Sequence, residues 1–197
     1  STLMRSSAAS DVYKRQVVNL SCHAFFNLKG AGNGTVDDHI LTINSSRITP
    51  VDSFLIPTGE RVPVEGTPFD FRVPTAIGAR LDQDNEQLRF GKGYDHNWII
   101  DKKIEGVEQI ASVYEPTLGR YMEVWSDQPG LQFYGGNFFN GKVKDKYGKP
   151  MRFREAIALE TQKFPDSPNH PDFPTTRLNP GEVYVHTCIY KFMTKNE

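Results

Sequence analysis

Ile157-Ala158-Leu159-Glu160-Thr161-Gln162 is the stretch on which the interpretation of this 197-residue chain depends. It is short and apolar, and Phe164-Pro165 closes it, which predicts a buried β-strand. Because side chains alternate along a strand, Glu160 points with Ala158 and away from its immediate neighbours. The strand therefore places a carboxylate among apolar residues.

A carboxylate in such a place has two interpretations. Burial without a partner is costly, and it raises a carboxyl pKa toward the range of a general base, which makes Glu160 a candidate catalytic group. The alternative is a Glu on a solvated face, or one bonded to a nearby arginine such as Arg152 or Arg154. The rest of the chain has to decide between them.

Composition excludes several classes of function. The chain has 23 Lys+Arg against 24 Asp+Glu, a net charge of −1, which argues against nucleic acid and polyanion partners. It has no apolar run of 18 residues, so we expect no membrane span. The cysteines Cys22 and Cys188 form no CxxC pair, which leaves zinc chemistry unsupported and favours a reducing compartment such as the cytoplasm.

Short apolar runs separated by 16 Gly and 13 Pro predict an all-β chain with many turns, and we expect an antiparallel β-sandwich. A strand-like run over 17–28 ends in a glycine-rich turn. Residues 109–114 and 121–126 predict a hairpin. Val183 to Phe192 predicts a final strand. We expect one domain over residues 17–197.

Ser1 to Gln16 differs from the rest of the chain. It is poor in apolar residues, shows no period and lacks the apolar region of a signal peptide. We interpret residues 1–16 as a foreign or disordered segment, and we expect that a natural start is missing.

Three further residues are candidates for a site. His23 lies among aromatic residues, where a histidine is either a satisfied structural group or a working one. Asp95 shares a strand face with Asn97, and an Asp near an exposed aromatic is a common sugar-binding arrangement, although it could also cap a turn. Gln132 alternates with apolar neighbours.

Taken together, the chain resembles the C-terminal half of the aldose 1-epimerase (galactose mutarotase) family from about Val17 to Phe192. Seven collinear motifs carry the resemblance. They are NLSCHAFFNL (19–28), TPVDSFLIPTGE (49–60), GTPFDF (66–71), GYDHNW (93–98), PGLQFYGGNFFNG (129–141), ALETQKFPDSPNHPDFP (158–174) and LNPGEVYVHTCIYKF (178–192).

The resemblance implies a large antiparallel β-sandwich of the galactose mutarotase type, here without its N-terminal strands. It implies interconversion of the α and β anomers of hexoses such as galactose and glucose. By motif, His23 would be the general acid and Glu160 the general base, while Asp95 and Gln132 would hold sugar hydroxyls. No cofactor and no metal are implied, and we expect the full-length protein to be a monomer or a weak dimer.

The chain departs from the family pattern in places. Cys22 stands where Asn is usual, Ala24 replaces Thr or Ser, and Trp98 replaces a smaller aromatic. The family's N-terminal half carries a second active-site His and a substrate-binding Arg, and nothing in residues 1–16 matches either. We therefore expect weak activity at most from these residues alone.

Other functions fit part of the pattern. A non-catalytic sugar-binding β-sandwich or an inactive truncated remnant would share the fold. A hexose-6-phosphate epimerase would need a basic cluster facing the cleft. A glycosidase would need two carboxyls flanking a scissile bond, for which Asp95 and Glu160 are the candidates.

Overall fold

The computed structural model describes residues 2–8 and 14–195. A short helix, α1 (Glu86–Gly91), and two 3-10 turns, Ile77–Arg80 and Ser167–Asn169, accompany the strands in these ranges. In chain order the strands are β1 (Thr2–Ala8), β2 (Gln16–Val17), β3 (Phe25–Phe26), β4 (Ile40–Ile43), β5 (Arg47–Thr49), β6 (Val62–Pro63), β7 (Thr75–Ala76), β8 (Asp95–Ile99), β9 (Glu108–Glu115), β10 (Arg120–Ser126), β11 (Gly130–Tyr134), β12 (Ile157–Gln162), β13 (Arg177–Leu178) and β14 (Tyr184–Thr194).

Within the described ranges the strands form two six-stranded sheets and one two-stranded pair. The first sheet has the order β1-β14-β10-β9-β4-β7, and the second, called here the cleft sheet, has the order β3-β12-β11-β8-β5-β6. Neighbouring strands in both sheets run antiparallel. The predicted all-β antiparallel fold is thus confirmed.

One continuous apolar core fills the space between the two sheets, and it contains residues of both, such as Leu41 and Val124 from the first sheet and Trp98 and Phe133 from the cleft sheet. Trp98 and Phe133 are fully buried, with ring centroids 5.7 Å apart. The indole Nε1–H of Trp98 donates to the Phe69 carbonyl oxygen at 3.0 Å. The core face of the cleft sheet is therefore fixed by packing, which leaves its other face free to carry polar side chains.

The predicted hairpin and final strand are present as β9–β10 and β14. In β14 the alternation is clear, because Tyr184, His186, Cys188 and Tyr190 are buried while Val185 is exposed.

Among the described residues, no helix is long and apolar enough to cross a membrane.

The prediction of one strand over residues 17–28 is mostly wrong, since only the end of β2 and the two-residue strand β3 fall in this range. Side chains take the place of the backbone ladder in between. The Asn19 side chain exchanges hydrogen bonds with the Lys163 backbone at 3.0 Å, and the Ser21 hydroxyl donates to the Thr161 carbonyl oxygen at 3.0 Å. The segment stays extended beside β12 without pairing regularly.

The N-terminal segment contains β1, whose backbone pairs with β14 over Thr2–Ala8. Residues 1 and 9–13 of the same segment lie outside the described residues. The interpretation of residues 1–16 as a foreign or disordered segment stays a prediction.

Helix α1 begins with a side-chain cap. The Asn85 Oδ1 accepts hydrogen bonds from the backbone N–H groups of Gln87 at 2.9 Å and Leu88 at 3.3 Å. We expect Asn85→Ala to lower the free energy of unfolding by about 1 kcal/mol in denaturant titrations, because it leaves two helix donors without this partner. Asn85→Asp, which keeps the acceptor, is the control, and equal losses in both variants would contradict the capping role.

Candidate active site

The free face of the cleft sheet carries a row of polar side chains that crosses four strands. Gln132 of β11 stands opposite Glu160 of β12 on one side and Asn97 of β8 on the other. Thr49 of β5 stands opposite Asn97 in turn. Because residues opposite each other share a sheet face, strand register alone brings these side chains together.

Hydrogen bonds between these side chains organise the row. The Gln132 Nε2–H donates to Asp95 Oδ1 at 2.9 Å. The Gln162 Nε2–H groups donate to Gln132 Oε1 and Asn97 Oδ1, both at 3.3 Å. The row is a connected amide and carboxylate floor whose members orient one another.

The Glu160 carboxylate contacts the side chain of a histidine. Its Oε1 lies 3.2 Å from His23 Nε2, with the Glu160 side chain 13% exposed and the His23 side chain 54% exposed. The two arginines considered from the sequence pair elsewhere, Arg152 with Glu155 and Arg154 with Asp37. Glu160 is therefore a mostly buried carboxylate facing an accessible imidazole.

The surroundings of Glu160 shift its proton affinity upward. Burial raises the pKa of Glu160 to about 7, an effect that nearby His23 opposes and the Asp95 carboxylate adds to. Burial also raises the pKa of Asp95, against the lowering effects of the Gln132 hydrogen bond and of His23. Glu160 can thus exchange a proton near neutral pH, as a general base must.

The row forms the floor of a cavity of about 250 Å³. Its walls include apolar side chains from two loops, Val51, Leu55 and Pro57 from one and Pro165 from the other. Within residues 14–195, none of the residues that line this cavity is Lys or Arg. A polar floor beneath an apolar wall suits a small, uncharged, hydroxyl-rich ligand better than a phosphorylated one.

The structure brings all four residues singled out from the sequence, His23, Asp95, Gln132 and Glu160, to the lining of this one cavity. Sequence reasoning did not name three further polar members of the floor as site residues: Thr49, Asn97 and Gln162. It did place Asn97 on the strand face of Asp95, and the same alternation rule could have placed Gln162 on the face of Glu160.

The remaining histidines of the chain are held in structural hydrogen bonds. His96 is fully buried on the core side of β8, where burial lowers its pKa to about 3. The ring nitrogens of His186 lie 2.7 Å from Thr161 Oγ1 and 2.9 Å from the Leu20 carbonyl oxygen. The buried His39 Nε2 accepts from the backbone N–H of Leu28 at 3.1 Å. The His170 Nε2 lies 3.2 Å from the Pro57 carbonyl oxygen.

Two departures noted in the sequence lie away from the cavity. Trp98 is fully buried on the core face. Alternation along β8 places Asp95 and Trp98 on opposite faces, so the Trp98 ring does not face the cavity. Cys22 is half-buried, packs against the core and accepts at its carbonyl oxygen from the Tyr190 hydroxyl at 3.4 Å.

Fold and site together define an all-β sandwich protein with a small polar cleft on one sheet face. The family model described as aldose 1-epimerase matches residues 3–191. The chain belongs to the aldose 1-epimerase family.

The chain is 43% identical over 175 residues to the galactose mutarotase of Mus musculus, covering 89% of this chain and 49% of that protein. It is 36% identical over 180 residues to the aldose 1-epimerase of Escherichia coli K12, covering 90% and 51%. A crystal structure of galactose 1-epimerase from Lactobacillus acidophilus superposes with a TM-score of 0.79 at 27% identity, covering 93% and 51%. The chain spans about half the length of the relatives that it matches.

Proposed function

We propose that the protein is an aldose 1-epimerase that interconverts the α and β anomers of hexoses such as galactose and glucose. The observation that carries the proposal is the contact of Glu160 with His23 at 3.2 Å beside a floor of hydrogen-bonding side chains. An acid and a base held together over such a floor are what anomer exchange requires.

In the proposed reaction, Glu160 takes the proton of the C1 hydroxyl while His23 gives a proton to the ring oxygen. The bond between C1 and the ring oxygen breaks, and C1 becomes an aldehyde. Rotation about the C1–C2 bond presents the other aldehyde face. The ring then closes as His23 takes back a proton and Glu160 returns one, so no proton is gained or lost overall.

The geometry of the pair suits this reaction. Both reacting oxygens are bonded to C1, so an acid and a base must act at adjacent points, and Glu160 Oε1 and His23 Nε2 are neighbours. The raised pKa of Glu160 lets the carboxyl both accept and return the proton near pH 7. Because no group leaves and nothing is oxidised, the proposed reaction needs no cofactor.

Asp95 and Gln132 are proposed to hold the sugar. The Asp95 carboxylate has a second oxygen beyond the one that Gln132 binds, and carboxylates accept hydroxyl hydrogen bonds well. A sugar bound over this floor would present C1 to the Glu160 side. The apolar wall would cover C–H groups.

Catalysed anomer exchange tests the proposal directly. Freshly dissolved α-D-galactose is followed by polarimetry with the protein in its natural full length, and we expect the optical rotation to decay faster than in buffer alone. A sugar-binding protein without activity would change ligand NMR signals yet leave this decay at the buffer rate. That result would refute the enzyme assignment and favour the binding-module alternative.

Asp95→Asn separates two contributions of this carboxylate. We expect galactose affinity to fall by about 1–3 kcal/mol, because an amide has one accepting oxygen where the carboxylate has two, which leaves a sugar hydroxyl unpaired. We also expect the acid limb of the pH–rate profile to move to lower pH, because the Asp95 charge helps to raise the pKa of Glu160. Unchanged affinity in both Asp95→Asn and Gln132→Ala would contradict the binding role.

A further inference from the structure

The loop over residues 51–59, called here the rim loop, supplies most of the apolar wall of the cleft. Val51, Leu55 and Pro57 all line the cavity, and Pro165 is added by the loop that follows β12. The polar floor lies in the sheet, so the positions of these two loops over it set the width of the cleft.

The tip of the rim loop is a compact turn built around Asp52. The Asp52 Oδ1 accepts from the backbone N–H groups of Phe54 at 2.8 Å and Ile56 at 3.1 Å. The Asp52 backbone N–H donates to the Ile56 carbonyl oxygen at 2.9 Å. Leu55 has a φ of 63°, a left-handed conformation that this turn imposes. These hydrogen bonds lie within the turn, so they fix its shape but not its position on the protein.

Core packing does not hold this tip in place. Phe54 is 81% exposed and Ile56 is 49% exposed, so the largest side chains beside Leu55 face solvent. The position of the turn then depends on the base of the rim loop, where the buried residues Val51 and Pro57 pair with each other and where polar side chains bind both ends.

Gln87 of α1 holds the first end. Its Oε1 accepts from the Val51 backbone N–H and its Nε2–H donates to the Val51 carbonyl oxygen, both at 2.8 Å. The His96 Nδ1 accepts from the Asp95 backbone N–H at 3.1 Å, so His96 Nε2 carries the proton and donates to Gln87 Oε1 at 3.1 Å. This end is tied through buried groups to the strand of the sugar-facing Asp95.

His170 holds the second end. Its Nε2 lies 3.2 Å from the Pro57 carbonyl oxygen and 3.2 Å from Asp166 Oδ2. Both partners are acceptors, so Nε2 carries the proton. The ring packs against Phe173 with centroids 4.8 Å apart and also lies against Gly59, where an added Cβ would stand 2.6 Å from Nδ1.

We propose that His170 is a positioning residue of the cleft. Its hydrogen bond to Pro57 ties the rim loop to the loop that follows β12 and so sets the distance between the apolar wall and the polar floor. Its effect is on hexose affinity and not on proton transfer, since it touches neither Glu160 nor His23. The identity of the ligand rests on the proposed function, whereas the anchoring of the loop does not.

The test compares His170→Asn with His170→Gln. The Gln amide nitrogen reaches the place of Nε2 and can donate to Pro57, while the Asn amide is too short. Both variants are placed in a Glu160→Gln background, in which catalysed turnover is expected to be strongly reduced, and galactose titration is followed by ligand-observed NMR. We expect affinity about 3- to 10-fold weaker in His170→Asn and within about twofold of the parent in His170→Gln, matching the net value of one hydrogen bond.

Steady-state kinetics of the two variants with an intact Glu160 should show the same difference between His170→Asn and His170→Gln. We expect KM to rise in His170→Asn with kcat nearly unchanged, and melting temperatures confirm that both variants are folded. Equal affinity in the Asn and Gln variants, or a loss confined to kcat, would overturn the proposal.

A readout without sugar separates this inference from the proposed function. Amide hydrogen exchange of residues 54–56 should speed up in His170→Asn and stay at the parent rate in His170→Gln. If galactose does not bind the parent, the proposed function fails, and faster exchange in the Asn variant alone still supports the anchor. Unchanged exchange in His170→Asn would overturn the anchor whatever the sugar does.

Discussion

Glu160→Gln in the natural full-length protein is expected to lower kcat on the order of 10²–10⁴-fold, the usual contribution of a general base. Gln keeps the size of the side chain and a hydrogen-bonding oxygen toward His23, yet it cannot take the C1 hydroxyl proton. Galactose affinity should change little, because Asp95 and Gln132 remain as the floor. Polarimetry measures the rate, and ligand-observed NMR measures the affinity.

The matched control is Glu123→Gln, the same chemical change on the other sheet. Glu123 accepts from the Trp125 indole N–H at 2.9 Å and pairs with Lys191 at 3.4 Å, away from the cleft. Its Gln variant should keep wild-type activity. A Glu160→Gln rate within about threefold of wild type would end the assignment of Glu160 as the base.

The same variant carries a stability signature that does not depend on turnover. The pKa of Glu160 is raised in the fold, so its contribution to stability is present at low pH and is lost as pH rises through about 7. Glu160→Gln removes this loss. We expect its melting temperature to exceed that of wild type at pH 8 and to match it near pH 4, and the opposite order would place Glu160 outside a desolvated site.

Strand alternation made much of this site predictable. One alternation rule places Glu160 on the face away from Leu159, and the same rule places Asp95 and Asn97 together on β8. The motif order placed His23 and Gln132 in the same family site. These residues need only local periodicity and chain order to be recognised.

Other parts of the site depend on contacts between distant residues. The pairing of Glu160 with His23, and not with Arg152 or Arg154, follows from the sheet edge where β3 meets β12. His170 and Pro57 are 113 positions apart, and no local pattern indicates their hydrogen bond.

His23→Asn is expected to lower kcat on the order of 10²–10⁴-fold, since it removes the proposed proton donor to the ring oxygen. It also has a directional effect on pH dependence. His23 lowers the pKa of Glu160, so its removal should move the acid limb of the pH–rate profile to higher pH. Asp95→Asn, which removes the charge on the other side of Glu160, should move the limb to lower pH.

The opposed shifts are the sharpest test of this geometry, because a merely destabilised protein would not move the limb in opposite directions for two neighbouring substitutions. Both profiles are measured by polarimetry over pH 5 to 8, with far-UV circular dichroism to establish folding. A limb that moves the same way in both variants would mean that His23 and Asp95 do not act on Glu160 as charges. A His23→Asn rate close to wild type would remove His23 as the acid and leave the exposed side of the cleft as the place to search for another donor.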